Sequence, residues 1–519
     1  MPQDRRESIV ILDFGGQYAQ LIARRARENH VYSELLAPQT PAAAIRARGA
    51  RGIILTGGPS SVYDTDAPLC DPAIFELGIP ILGICYGMQV CAKLLGGAVS
   101  PANAREYGRV HLNVTKPEGV LAHLPPETTV WMSHGDTVAE AGPQFESIAT
   151  TTNCPIAAVR HRTLPVFGVQ FHPEVTHTPL GHQIIRNFLY EVCRFAGDWR
   201  VSNVVDEMVA AVRQQVRPKD RVICGLSGGV DSSVAATMIQ RAIGERLVCI
   251  FVDNGLLRRN EAEMVKATFQ GHFKMELHAV DARKRFLDAL KGVVDPAEKR
   301  RIIGRVFVEV FQAEARRIPG AHYLAQGTIY PDVIESGHGP TGHSAAIKAH
   351  HNVGGLPEQL GFELVEPLRT LFKDEVRQVG LSLGLPEDMI WRHPFPGPGL
   401  AVRVQADLTE DRLELLRSAD EILLDELRAS GWYGKVAQAF AVLLPVSTVG
   451  VMGDGRSYEG QHVVAIRLVE TTDFMTADWV RIDYSVLATV SNRIMNEVRG
   501  VNRVVYDIST KPPSTIEWQ

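Results

Sequence analysis

Cysteine is scarce and poorly spaced for cross-linking. Cys70, Cys85, Cys91, Cys154, Cys193, Cys224 and Cys249 are seven, an odd number with no CxxC pair. That excludes a disulfide framework or a zinc ribbon and fits thiols in a reducing compartment. No apolar run is long enough to span a bilayer. The opening MPQDRRES leads into IVILDFGG, which is too short and too soon followed by Asp13 to act as a signal-peptide core. Charge of one sign is also lacking: 54 basic and 59 acidic residues leave a formal −5, so the totals provide no polyanion-binding surface and nucleic acid is not an expected partner. Internal repeats, coiled-coil heptads and low-complexity tracts are absent, as is the lysine-bearing phosphate loop GxxxxGK[ST]. What remains is the profile of a soluble cytoplasmic protein without a membrane partner. At 519 residues it is long enough for two to four domains.

The first part alternates short apolar runs with helical patterns: IVILDF, GIILTGG, IPILGIC and PVFGVQFHPE. Such runs predict an α/β domain with a largely parallel sheet. A closing helix over HQIIRNFLYEVCRFAG places a boundary near Gly197. A second α/β unit begins at RVICGLSGG and continues to LVCIFVDNG, a strand ending in polar loop residues of the kind that gather ligands in open sheets. From Ile329 to Leu360 the chain is rich in Gly, Pro and His without a clear period, and reads as a long lid-like loop. Its four histidines, His338, His343, His350 and His351, are irregularly spaced with no cysteine nearby, which favours a polar lid over a zinc site. The turn-rich HPFPGPGL precedes a last part with a helix over about 409–429, strand-like HVVAIRLVE, a helix over about 484–498 and strand-like RVVYDIS. The expected fold class is therefore α/β, with two doubly wound α/β domains followed by a small α+β domain. The expected divisions are 1–197, 198–394 and 395–519.

The segment SGGVDSS, Ser227 to Ser233, lies between the apolar VICGL and the helix-like VAATMIQRAI. Strand, glycine loop and helix in that order hold an anion: glycines permit close backbone approach, and the helix start offers unpaired amides and the positive end of its dipole. A plain strand-to-helix turn is the simpler reading of SGG alone. Asp231 and the flanking serines in the same context argue for more, and the segment resembles the loop of the ATP pyrophosphatase enzymes, which split ATP between its α and β phosphates. That resemblance implies ATP contacts from Ser227, Gly228, Gly229, Val230, Asp231, Ser232 and Ser233.

GICYG puts Cys85 directly after an apolar strand and before the helix-like MQVCAKLL, the setting of a nucleophile elbow. The helix N-terminus favours a thiolate. His172 and Glu174, in FHPE at the end of another strand-like run, offer a base and a carboxylate to fix its tautomer. Each residue alone is unremarkable in a core or a turn, but together they point to a triad. GICYGMQ, FHPE and TGGPSS are similar to the triad-type glutamine amidotransferases. The resemblance implies Cys85 as nucleophile, His172 as general base, Glu174 as its orienting carboxylate, and an oxyanion hole from Gly57 or Gly58 with the Tyr86 amide. It further implies that Gln89 and WMSHGD (131–136) position glutamine.

The chain as a whole resembles the GMP synthase family, through QGTIYPDVIES, IKAHHNVGGLPE, EPLRTLFKDEVR, RHPFPGPGLAVR, ETTDFMTADW and the terminal KPPSTIEWQ. The activity this implies is amination of xanthosine 5′-monophosphate (XMP), activated as an adenylyl ester by ATP, with ammonia from glutamine. The resemblance also implies Lys373 at the pyrophosphate, contacts of Arg300, Lys511 and Glu517 with XMP, a Mg²⁺ ligand in Asp231, and a homodimer through the C-terminal domain. The glycines of PGPG (396–399) read equally as a close approach to the nucleotide or as a rigid hinge. Many members end in IEWE where this chain has Gln519. Two other readings compete: the same chemistry on another acceptor, such as the nicotinic acid dinucleotide of NAD synthesis, and a silent nucleotide-binding regulator. The second predicts damage at Cys85, His172, Glu174 or SGGVDSS, and all are present.

Overall fold

Runs of Ile, Val and Leu that are buried on both faces form parallel strands between layers of helices. In the computed structural model, which describes residues 7–334, 361–452, 455–457, 462–471, 474 and 476–518, β1 (Ser8–Leu12), β4 (Ile81–Ile84) and β9 (Val166–Val169) are buried at every position. With β2 (Tyr32–Leu36) and β3 (Ala50–Leu55) they make a parallel half-sheet in the order β2-β1-β3-β4-β9.

The sheet then continues in a way the apolar runs do not announce. β8 (Ala158–His161), β7 (Phe145–Thr150), β5 (Ala98–Val114) and β6 (Glu127–Glu140) extend it antiparallel beyond β9, giving nine strands. The expectation of a largely parallel sheet thus holds only for the half that carries the Cys85 elbow. The extension was missed for a physical reason: β6 buries alternate residues through its middle, as a strand with one solvated face does, so no continuous apolar run marks it.

Contacts divide the chain into two compact units. One runs to Asn203 and takes in residues 330–334, and the other holds Val204–Ile329 and the rest of the described chain from 361. The second contains a five-stranded parallel sheet in the order β12-β11-β10-β13-β14, from β10 (Arg221–Leu226), β11 (Leu247–Asp253), β12 (Glu276–Asp281), β13 (Ala321–Ala325) and β14 (Glu363–Val365). It also contains a four-stranded sheet. There β15 (Gln438–Ser447) pairs antiparallel with β18 (His462–Glu470), which is flanked by β19 (Asp478–Trp479) and, in parallel, β20 (Val501–Tyr506). A small ribbon, β16 (Gly450–Met452) with β17 (Gly455–Ser457), stands apart.

The helix expected from about Thr409 is Glu410–Ala429, with Thr409 capping it by accepting from the Arg412 amide. One apolar core runs from Ile223 and Val248 of the parallel sheet through Leu400, Leu413 and Leu423 to Ile466, Ile494 and Val501. Lys299, fully buried, ties its helix (Pro296–Ala315) to the segment after PGPG by donating to the carbonyls of Ala401, Val404 and Ala406 at 3.1, 2.7 and 2.8 Å. Gly399, at φ +63°, lies so close to Leu256 that a Cβ would stand 2.3 Å from that residue's carbonyl oxygen. Close packing of backbone on backbone accounts for this glycine. The four histidines of the expected lid and Gln519 lie outside the described residues.

Candidate active sites

In the first unit, neighbouring parallel strands deliver the chemistry at their carboxyl ends, where open α/β sheets gather ligands. β3 leads to Thr56 and Gly57, β4 to Cys85, and β9 to Gln170 and His172. Cys85 has φ +52° and ψ −106°, a conformation a non-glycine residue adopts only when its surroundings enforce it. Those surroundings are tight. A Cβ on Gly83 would come within 2.6 Å of the Gly87 backbone, and one on Gly87 within 2.3 Å of the Leu55 carbonyl oxygen. The glycines flanking the nucleophile are thus required by close approach, as the elbow reading expects.

His172 Nδ1 lies 2.7 Å from Glu174 Oε1, and both residues are buried. Burial alone would lower the imidazole's affinity for a proton. The Glu174 carboxylate and the hydrogen bond with Cys85 outweigh it and raise the pKa to about 10. The imidazole of His172 therefore holds its proton. Tyr18 packs edge-on against the imidazole at 5.3 Å between ring centres, and Arg25 donates to the Glu174 main-chain carbonyl.

Gly57 faces this pair directly: a Cβ there would stand 3.2 Å from His172 Cε1 and 3.7 Å from Cys85 Cβ. Gly58 lies against Phe14 and the Tyr86 ring. Tyr86 opens the helix Tyr86–Leu94, so its amide is one of those without an intrahelical acceptor. Gln89, on the same helix, donates to the Asp136 carbonyl at 2.9 Å and to Gln170 Oε1 at 3.4 Å. Gln170 was not foreseen. Fully buried, it donates to Cys85 Sγ at 3.6 Å, and the thiol in turn reaches the Ser133 carbonyl at 3.8 Å. The available signal was a glutamine closing the otherwise apolar VFGV run two residues before His172.

In the second unit, β10 runs into Ser227–Gly229 and then the helix Val230–Ile243. Gly228 takes φ +74°, and a Cβ would press on Val265 at 3.0 Å. The serines brace the loop: Ser227 Oγ accepts from the Gly229 amide and meets Ser232 Oγ at 3.0 Å, while Ser232 and Ser233 donate to the Gly229 carbonyl. Val230 is buried at the helix start. Lys373, at the start of the helix Lys373–Ser382, reaches across to Asp231. Arg392, also unforeseen, binds the Gly228 carbonyl and pairs with Glu261.

The three residues expected at the nucleotide acceptor are differently engaged. Arg300 is half-buried on Pro296–Ala315. Lys511 donates to the Phe474 carbonyl at 2.8 Å and bridges Ala477 through its backbone. Glu517 accepts from Arg403 and Gln438, both at 2.8 Å, so its carboxylate is already occupied in this state. Among the described residues no helix is long and apolar enough to cross a membrane.

Residues 10–192 match the glutamine amidotransferase class-I family, 204–301 the NAD synthase family, and 425–518 the GMP synthase C terminal domain. Relatives over the full length include proteins named GMP synthase [glutamine-hydrolyzing]. That of Caldanaerobacter subterraneus subsp. tengcongensis is 54% identical over 99% of this chain and 99% of its own. That of Carboxydothermus hydrogenoformans is 54% identical over 98% and 99%, and that of Geobacillus kaustophilus 55% identical over 99% and 100%.

Proposed function

This chain belongs to the glutamine-hydrolysing GMP synthase family, and from that membership we propose that it aminates XMP to GMP at the expense of ATP, with glutamine as the nitrogen donor. The observation that carries the reading is that Cys85, His172 and Glu174 meet beyond the carboxyl ends of β4 and β9, in a chain that also holds a serine-braced glycine loop at Ser227–Gly229. Residues 1–197 generate ammonia, 198–394 adenylate, and 395–519 hold the acceptor and pair two subunits.

The Cys85 sulfur attacks the amide carbon of glutamine. Amides of Gly57 or Gly58 and of Tyr86 receive the developing oxyanion, a contribution of a few kcal/mol. The His172 imidazolium hands its proton to the departing nitrogen, releasing ammonia, and Glu174 keeps the ring oriented. His172 then takes a proton from water as it opens the thioester to glutamate. In the second unit, the O2 oxygen of XMP attacks the α-phosphorus of ATP, and pyrophosphate leaves into Ser227–Ser233, with Lys373 neutralising it. Ammonia then attacks C2 and AMP departs. Arg300, Lys511 and Glu517 bind the acceptor, two by positive charge toward phosphate and one by accepting hydrogen bonds.

Asp231 is a hard oxygen donor of the type Mg²⁺ takes beside phosphates, but both its oxygens are held here by Lys373, so it would hold the ion only with that lysine turned toward phosphate. When bound, the ion would offset the phosphate charge. A cytoplasmic homodimer completes the proposal.

The test is incubation with ATP, Mg²⁺, XMP and glutamine, followed by separation of the nucleotides. GMP, AMP and glutamate in equal amounts support the reading. The match to the NAD synthase family over 204–301 favours one alternative, in which the nicotinic acid dinucleotide is the acceptor. Replacing XMP by that dinucleotide, and finding it the better substrate, would overturn the XMP assignment.

A further inference from the structure

Behind the Cys85 site, Glu106 of β5 and His134 of β6 stand directly opposite in the strand register. Both are buried, and His134 Nε2 lies 3.5 Å from Glu106 Oε2. Among the described residues neither of these two atoms has a hydrogen-bond partner. Their other atoms are committed: Glu106 Oε1 accepts from Thr151 at 2.9 Å, and His134 Nδ1 lies 2.9 Å from the Asp136 carbonyl. A carbonyl only accepts, so Nδ1 carries a hydrogen. Nε2 and Oε2 therefore face one another across 3.5 Å in a buried setting, where each is the other's nearest polar neighbour of opposite kind.

The Asp136 carbonyl held by His134 is the same one that receives Gln89 Nε2. One residue before His134, the Ser133 carbonyl meets the Cys85 thiol. The Ser133–Asp136 stretch is thus pinned from behind by one side chain and touches the nucleophile and Gln89 in front. Both amide hydrogens of Gln89 are directed at protein acceptors, at Asp136 and Gln170. Its carbonyl oxygen is the end that can meet a ligand, an acceptor suited to the α-ammonium of an amino acid.

We propose that Glu106 and His134 are positioning residues of the glutamine site: their buried pair fixes the Asp136 carbonyl and through it the aim of Gln89, so that they set affinity for glutamine without touching it. The inference rests on glutamine being the donor. Cys154 completes the cluster within reach of both and gives it the look of a metal site. Its sulfur, however, already contacts Thr137 Oγ1 and the Ile156 carbonyl, each at 3.4 Å, and burial raises its pKa, favouring the neutral thiol over a thiolate ligand.

The test compares the parent with Glu106→Ala, His134→Ala and Glu106→Gln, whose amide can donate to a neutral Nε2. Expected for the two alanine variants is a rise in glutamine KM of about tenfold or more with a smaller change in kcat. Alkylation of Cys85 by iodoacetamide and ammonium-dependent synthesis should stay within about twofold of the parent, and Glu106→Gln should recover most of the affinity. An unchanged glutamine KM overturns the inference, as does a parallel fall in KM-normalised rate, alkylation and melting temperature that Glu106→Gln does not rescue. About one zinc per chain in the purified parent, lost in Glu106→Gln, would replace positioning by metal binding. A parent that hydrolyses no glutamine would instead defeat the donor assignment itself.

Discussion

Lys373 Nζ lies 2.7 and 2.6 Å from the two carboxylate oxygens of Asp231, joining the first turn of the helix Val230–Ile243 to the helix Lys373–Ser382. Both side chains are partly exposed, so the pair adds little to stability. Its place at the loop argues instead for a role toward phosphate. Lys373→Met should lower AMP formation about a hundredfold or more, measured by nucleotide separation, while glutamine hydrolysis persists. Equal loss of both would show damage to the fold.

Cys85→Ala removes the nucleophile without altering the space that Gly57, Gly83 and Gly87 leave around it. Glutamine-dependent GMP formation should fall by about a thousandfold or more, and synthesis from ammonium should stay within about twofold. Loss of the ammonium reaction as well would mean that the two chemistries are not separable as argued.

The raised pKa of His172 has a definite sign. In the folded chain the imidazole holds its proton to about 10, against an ordinary 6.5. The resulting stabilisation is fully present below 6.5 and is lost as pH rises through the folded value. Relative to His172→Gln, the parent should therefore lose melting temperature between about pH 7 and 10, and glutamine hydrolysis should decline only on the alkaline side of that window. Parallel melting curves for parent and variant across the range would refute the assignment.

Arg403 is fully buried and paired with Glu517, with Asp420 more distant at 3.8 Å. Removing Glu517 leaves the buried Arg403 only the more distant Asp420, which Arg258 already holds. Glu517→Ala should cost about 3 kcal/mol in denaturant unfolding. A variant of unchanged stability but raised KM for XMP would assign the carboxylate to the acceptor alone.

What could be read beforehand were features whose physics is local. A sharp strand-to-helix turn at Cys85 demands glycine at 83 and 87, and an anion loop demands Gly228 at positive φ, so GICYG and SGGVDSS display their geometry in a few residues. Glu106 and His134 were invisible because their meeting depends on the register of two long antiparallel strands. Glu517 and Arg403 are far apart in sequence, and nothing near either names the other. Turns interrupt the backbone at HPFPGPGL, yet Leu400 at its end and Val404 beyond it lie in the same core as Ile223. Composition records where a chain bends, whereas side-chain packing determines where it divides.

That shared core has a thermodynamic consequence. The parallel sheet behind the Ser227–Gly229 loop and the sheet built from β15 and β18 owe their burial to one another, with Lys299 as a stitch between them. They should therefore melt as a single cooperative body. A cavity opened at Leu423 would loosen the phosphate loop as surely as one opened at Val248, and a chain cut after Pro394 would strand two half-cores, each exposing the apolar face meant for the other.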